Sequence, residues 1–202
     1  MRKIYITGTD TDIGKTYFSG LLCKHLKEQG GKVCYIKPVQ TGFPADDDSK
    51  TVREMSGLSE DDCKVLHTAE APVAPYIVFD EFPFDETVET INSITGYDWL
   101  IVEGAGGIMV PLDSDYMNYD LVKACDLECL VVVPNRLGCI NHSLLNKSFL
   151  ESNNLKFAGF AMNNHFLASK FDRFNISMLN ELTAHSAKFV FSKELEYINV
   201  NW

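Results

Sequence analysis

A chain of 202 residues with 46% hydrophobic content is long enough for one domain with a sizeable core and leaves little for a second. Its formal net charge of −10 opposes phosphate backbones and anionic lipid, which excludes nucleic acid and membrane surfaces as general partners; a bound polyanion must meet a local cluster of cations. No apolar run approaches the ~20 residues that span a bilayer, and the opening MRKIYITG enters a strand-like segment without a signal-peptide stretch, so a cytoplasmic protein is expected. Cys23, Cys34, Cys63, Cys125, Cys129 and Cys139 form no C-x-x-C pair and read as free thiols within helices and strands.

Along the chain, short apolar runs alternate with stretches of helical period, the pattern of an α/β fold with a mainly parallel sheet and helices on both faces. Strands are predicted over residues 3–7, 32–37, 98–103, 128–133, 155–162 and 188–191. Phe18, Leu21, Leu22 and Leu26 mark one helix face, ended by Gly30-Gly31, and Phe171, Phe174, Met178 and Leu182 mark another. No repeat, low-complexity tract or linker divides the chain, so residues 1–202 read as a single domain. In such folds ligands gather at the carboxyl ends of the strands.

The first strand runs into GTDTDIGKT, Gly8 to Thr16, followed by a helix. A glycine-rich loop there turns backbone N–H groups inward and, with the positive end of the helix, cradles phosphate oxygens. Lys15 then reaches the terminal phosphates and Thr16 offers its hydroxyl to Mg²⁺. Gly8 and Gly14 enclose five residues where four are usual, so the loop is a variant. After the second strand, IKPVQTG supplies Lys37, a cation able to offset charge as phosphate transfers, and Thr41, a hydroxyl donor for a substrate. The run Asp46-Asp47-Asp48 fits either an acidic helix start or a second carboxylate for Mg²⁺.

WLIVEGAGG ends a buried strand in Glu103, a carboxylate placed to hold a metal, and Gly104, Ala105 and Gly106 let backbone approach a nucleotide. In PNRLGCINHS the amides of Gly138, Cys139, Ile140 and Asn141 open a helix and can seat a substrate carboxylate, or Asn141 caps that helix. Asn163 and Asn164 close the next strand, where a carboxamide fork matches the edge of adenine.

TGTDTDIGKT, KPVQTG, VEGAGG and LGCINH, in this order and spacing across residues 3–165, resemble the dethiobiotin synthetases, ATP-using enzymes of the P-loop NTPase type. The resemblance implies a homodimer that joins 7,8-diaminononanoate (diaminopelargonic acid) and CO₂ at the expense of ATP, giving dethiobiotin, ADP and phosphate. It makes Lys37 and Lys15 catalytic and Thr41 substrate-binding, and assigns ATP to Asp12, Ile13, Gly14, Lys15, Thr16, Tyr17, Asp48, Glu103, Gly104, Ala105, Gly106, Asn163 and Asn164. Mg²⁺ falls to Thr16, Glu103 and one of Asp48 and Asp47, while Gly138, Cys139, Ile140 and Asn141 serve the partner's substrate carboxylate across the dimer interface. Residues 189–202, FVFSKELEYINVNW, lack the Gly-x-x-Pro type segment that wraps the base in relatives, so either weaker holding of ATP or acceptance of other nucleotides is expected. Related amide-forming ligases such as cobyrinic acid diamide synthase carry an extra amidotransferase domain that 202 residues cannot hold. Nucleotide switches of the partitioning or nitrogenase-iron-protein kind resemble KGGxGKT, whereas no lysine precedes Gly14 in TGTDTDIGKT. A nucleotide-binding module without turnover is the remaining alternative.

Overall fold

In a computed structural model that describes residues 1–192, side-chain alternation divides the core into two layers. In β1 (Arg2–Gly8), Ile4 and Ile6 turn to one side and Tyr5 to the other, all fully buried, as a strand covered on both faces requires. It lies between β4 (Trp99–Gly107) and β5 (Glu128–Pro134), parallel to both. Ile4, Ile6 and Leu130 pack with Phe18 and Leu22 of α1 (Lys15–Glu28). Tyr5, Val102 and Val131 pack with Leu121 of α5 (Asn118–Ala124) and Leu150 of α6 (Cys139–Ser152).

With β2 (Val33–Thr41), β3 (Cys63–Ala69), β6 (Lys156–Asn163) and β7 (Ala187–Phe191), the sheet has seven strands in the order β3-β2-β4-β1-β5-β6-β7, every neighbour parallel. From β1 the chain crosses to β2 on one side, and from β4 it crosses to β5 on the other. The carboxyl ends of β1 and β4 thus flank a point where connections diverge, the place such sheets bind ligands. Helices α2 (Asp48–Ser56), α3 (Pro75–Val78), α4 (Phe84–Ser93) and α7 (Asn175–Leu182) complete the described elements, together with short 3₁₀ turns.

Several expectations need correction. The six predicted strands omit β3, which lies at the sheet edge with only Cys63 buried and so lacks a continuous apolar run. β2 continues past the predicted end at residue 37 through Thr41, so Lys37 and Thr41 stand within the strand. Pairing of β2 with β4 stops at Ile36, and beyond it β2 pairs with β3 alone, which leaves Lys37 room beside the end of β4. Glu103 to Gly106 likewise lie within β4. Phe171, Phe174, Met178 and Leu182, read as an inward face, are 49–66% exposed, and Leu179 is the buried residue of α7. A 3₁₀ turn at Asp172–Phe174 precedes the helix, so a single 3.6-residue period does not run through the four positions.

All six cysteines are buried free thiols, and burial pushes those of Cys63 and Cys129 up to about 12, which keeps them protonated near neutral pH. Among the described residues no helix is long and apolar enough to cross a membrane. The base-wrapping comparison drawn at the C-terminus falls largely on residues 193–202, outside the described residues.

Candidate active site

The loop after β1 is held by its backbone and by glycine. Thr9 N–H donates to Val132 O of β5 at 3.1 Å, and Gly14, the N-cap of α1, has φ of 92°. A Cβ on Gly14 would also stand 2.7 Å from Asn163 Nδ2, so both conformation and space require glycine. Asp12 shares the left-handed region at φ 55°. Lys15 is buried, with Nζ donating to Asp10 O at 3.2 Å. Burial lowers its pKa first and the Lys37 ammonium lowers it further, against the smaller opposing pull of Glu103, Asp48 and Asp12.

Beneath the loop, Glu103 is fully buried and accepts four hydrogen bonds from side chains. Ser19 Oγ (2.6 Å) and Tyr35 OH (3.0 Å) hold Oε2, while Thr16 Oγ1 (2.9 Å) and Lys37 Nζ (2.9 Å) reach Oε1. Lys37 Nζ also pairs with Asp48 Oδ2 at 2.6 Å and donates to Gly104 O at 3.3 Å. Burial alone would lower the Lys37 pKa, but the Glu103 and Asp48 carboxylates outweigh it and the group stands above the ordinary lysine value. A carboxylate with four donors is the form in which a buried charge is tolerated. Burial, with Glu103 adding to it, pushes the Tyr35 hydroxyl well up, so Tyr35 donates as a neutral phenol.

The structure separates the three aspartates that sequence left open. Asp47 is the N-cap of α2 and accepts from Lys50 N at 2.9 Å and Ser49 Oγ at 2.6 Å. Asp46 is exposed. Asp48 faces Lys37, and its backbone N–H donates to Gln40 Oε1 at 3.3 Å, which links α2 to the end of β2 beside Thr41. Asp48 and Glu103 therefore flank the Lys37 ammonium, and the Thr16 hydroxyl reaches the same Glu103 oxygen. Among the described residues no group of three His, Cys, Asp or Glu forms a protein-only metal cage.

Gly104 lies against the Tyr5 ring, where a Cβ would collide with it, and the end of β4 is tied down by Asn118, whose Nδ2 donates to Ala105 O (2.7 Å) and Gly107 O (2.8 Å). A cleft of about 410 Å³ opens beside it. Thr9, Asp10 and Thr11 form a polar wall, and Met109, Val110, Leu145 and Phe149 an apolar one.

At the start of α6, Gly138 (φ 94°) is the N-cap with no side-chain cap, so Asn141 does not cap this helix. Cys139 N–H is engaged with Arg136 O at 3.0 Å, and Leu137 beside it is 94% exposed. On the far side, buried Asn163 donates from Nδ2 to Ile13 O at 2.9 Å and accepts at Oδ1 from His165 N at 3.0 Å. One N–H and one lone pair of its carboxamide remain. Asn164 Oδ1 accepts from Asn135 Nδ2 at 2.8 Å, and Tyr17 lies against Phe191 with ring centroids 6.4 Å apart.

Lys15, Thr16, Lys37, Asp48 and Glu103 thus converge, whereas Gly138 to Asn141 and the two asparagines occupy other edges of the crevice. Ser19, Tyr35 and Asn118 escaped the sequence reading. Tyr35 precedes Lys37 by two residues and so shares its face of β2, and Ser19 follows Thr16 by one helical turn; both positions were open to inference. Asn118 lies eleven residues beyond Gly107 and has no such signal.

The AAA_26 family model, an AAA domain, matches residues 2–186. An ATP-dependent dethiobiotin synthetase BioD of Methanocaldococcus jannaschii is 39% identical over 171 residues, 79% of this chain and 78% of that protein. The enzyme of that name from Bacillus subtilis (strain 168) is 37% identical over 81% of this chain and 74% of its own length. In fold, the chain resembles the signal recognition particle receptor FtsY of Elizabethkingia anophelis, with a TM-score of 0.61 at 16% identity, covering all of this chain and 60% of that one. It also resembles the cell division protein MinD of Aquifex aeolicus, with a TM-score of 0.58 at 15% identity over 96% and 83% of the two chains. The phosphate-binding loop, the buried lysine–glutamate pair beneath it and these relatives agree that the chain belongs to the dethiobiotin synthetase family of P-loop ATPases.

Proposed function

We propose that this protein closes the ureido ring of dethiobiotin, converting 7,8-diaminononanoate, CO₂ and ATP into dethiobiotin, ADP and phosphate. The single observation that carries this reading is the convergence of Lys37, Asp48, Glu103 and Thr16 beneath the phosphate loop, beside a cleft with one polar and one apolar wall. Amides of residues 12–16 and the Lys15 ammonium bind the polyphosphate, while Lys37 supplies positive charge at the group being transferred. Thr16, Asp48 and Glu103 are all oxygen donors, the set Mg²⁺ takes, and would hold the ion. When bound there, the ion neutralises charge on the phosphates.

In the cleft, Met109, Val110, Leu145 and Phe149 fit the alkyl chain of the diamine. One amine adds to CO₂ and loses a proton to give a carbamate, whose oxygen attacks the terminal phosphorus and displaces ADP. The second amine then attacks the carbonyl of this carbamic–phosphoric anhydride and expels phosphate, an intramolecular step aided by proximity. Thr41, at the end of β2, binds the substrate.

The uncapped start of α6, Gly138 to Asn141, binds the substrate carboxylate of a second subunit, and exposed Leu137 beside it supplies apolar surface for a homodimer. Asn163 and Asn164 read adenine with the hydrogen-bonding capacity they retain. The test is phosphate release from ATP with bicarbonate. Release that requires the diamine and yields one ring product per phosphate is expected; diamine-independent release overturns the reading.

A further inference from the structure

The two carboxylates and the hydroxyl assigned to the metal are already occupied. Lys37 Nζ lies 2.6 Å from Asp48 Oδ2 and 2.9 Å from Glu103 Oε1, and the Thr16 hydroxyl donates to that same Glu103 oxygen at 2.9 Å. The other Glu103 oxygen is fixed by Ser19 and Tyr35, so the carboxylate is held in place and only Oε1 can exchange partners. The Asp48 side chain is 24% exposed against 5% for Lys37 and none for Glu103, so Asp48 is the open side of the group. A divalent ion bridging Asp48 and Glu103 at the ~2.1 Å that Mg²⁺ requires would sit against an ammonium bound to the same two oxygens, a like-charge contact in a desolvated site.

We propose that Lys37 is the resident cation of the metal site: in the nucleotide-free protein its ammonium holds the place between Asp48 and Glu103, and a divalent ion enters only with the polyphosphate, displacing the lysine toward that phosphate. This rests on the metal ligands of the proposed function. Free metal then competes with an internal, covalently tethered cation, whereas metal carried by a nucleotide brings phosphate charge that gives the displaced ammonium a new partner. Engagement of Lys37 with the reacting phosphate is thereby tied to arrival of the metal, and the protein needs no bound ion beside its buried Glu103.

The experiment is Mn²⁺ binding to the full chain without nucleotide, read from the electron paramagnetic resonance signal of free Mn²⁺. Lys37→Met is expected to bind Mn²⁺ at least about tenfold more tightly than wild type, and Lys15→Met, which removes a nearby charge that touches neither carboxylate, less than about threefold. Adding Asp48→Asn to Lys37→Met should abolish the gain. Equal affinity of Lys37→Met and wild type, an equal gain in Lys15→Met, or a gain that survives Asp48→Asn would each overturn the proposal. Should Lys37→Met fail to fold, Lys37→Gln keeps a hydrogen-bond donor and is expected to gain in the same direction. In ¹⁵N-lysine-labelled wild type, the Lys37 Nζ resonance should be unmoved by Mg²⁺ alone and should shift with Mg²⁺ and ADP together; a shift with Mg²⁺ alone contradicts the proposal. None of these readings requires turnover, so absence of ring closure with the expected Mn²⁺ pattern would sink the proposed reaction and leave this inference standing.

Discussion

The floor of the site under β2 and β4 and the rim at the start of α6 are built on opposite lines. In the floor the charges have internal partners: Glu103 has four donors, Ser19 and Tyr35 among them, and Lys37 has two carboxylates. At the rim Gly138 begins a helix with no side-chain cap and Leu137 is 94% exposed. A group that must hold developing charge gains from being fixed before the ligand arrives, because no reorganisation is then needed at the moment of reaction. A surface that seats a ligand or a second subunit has its partners outside the chain.

Removing the hub of the floor separates the two regions most strongly. Glu103→Leu leaves Lys37 buried with Asp48 alone and strands the Ser19 and Tyr35 hydroxyls, and is expected to cost about 3 kcal/mol, measured by urea unfolding. Adding Lys37→Met should return much of that loss, since an apolar replacement of a buried pair is often nearly neutral. Leu137→Asp at the rim should change monomer stability by less than about 0.5 kcal/mol and, on the proposed homodimer, shift sedimentation from dimer toward monomer; a dimer left unchanged by the substitution would remove Leu137 from that proposed interface.

A smaller effect is expected outside both regions, at His67 on β3, where Thr87 Oγ1 lies 2.9 Å from Nε2 and Phe82 packs edge-on. Burial lowers its pKa below the ordinary 6.5, opposed weakly by Glu86. The unfolded chain then binds the proton more readily than the folded one, so this contribution to stability is complete above pH 6.5 and is lost as pH falls below it. His67→Gln should flatten the pH dependence of the unfolding midpoint over that range.

The floor was legible in sequence because its chemistry sits in contiguous motifs: GKT, KPVQTG and VEG each carry a side chain and the backbone that aims it. Other features depend on geometry that no local pattern encodes. Asp47 and Asp48 are adjacent, yet one caps α2 and the other faces Lys37, a choice made by where α2 begins. Edge strand β3 was missed because its half-exposed residues carry no apolar run. The face of α7 is not given by one period from Phe171 to Leu182, because the 3₁₀ turn Asp172–Phe174 separates Phe171 from the helix. Asn118 acts on β4 from eleven residues away, and its contact to Gly107 exists only in three dimensions.

The proposed chemistry makes a carbamate oxygen, not water, the atom that attacks the terminal phosphorus at this floor. Turnover with C¹⁸O₂ in unlabelled water, under conditions where hydration of CO₂ is slow, should place one ¹⁸O in each phosphate released. Phosphate that instead takes its new oxygen from the solvent would mean that the site hydrolyses ATP and that ring closure is not what Lys37 and Glu103 are arranged to do.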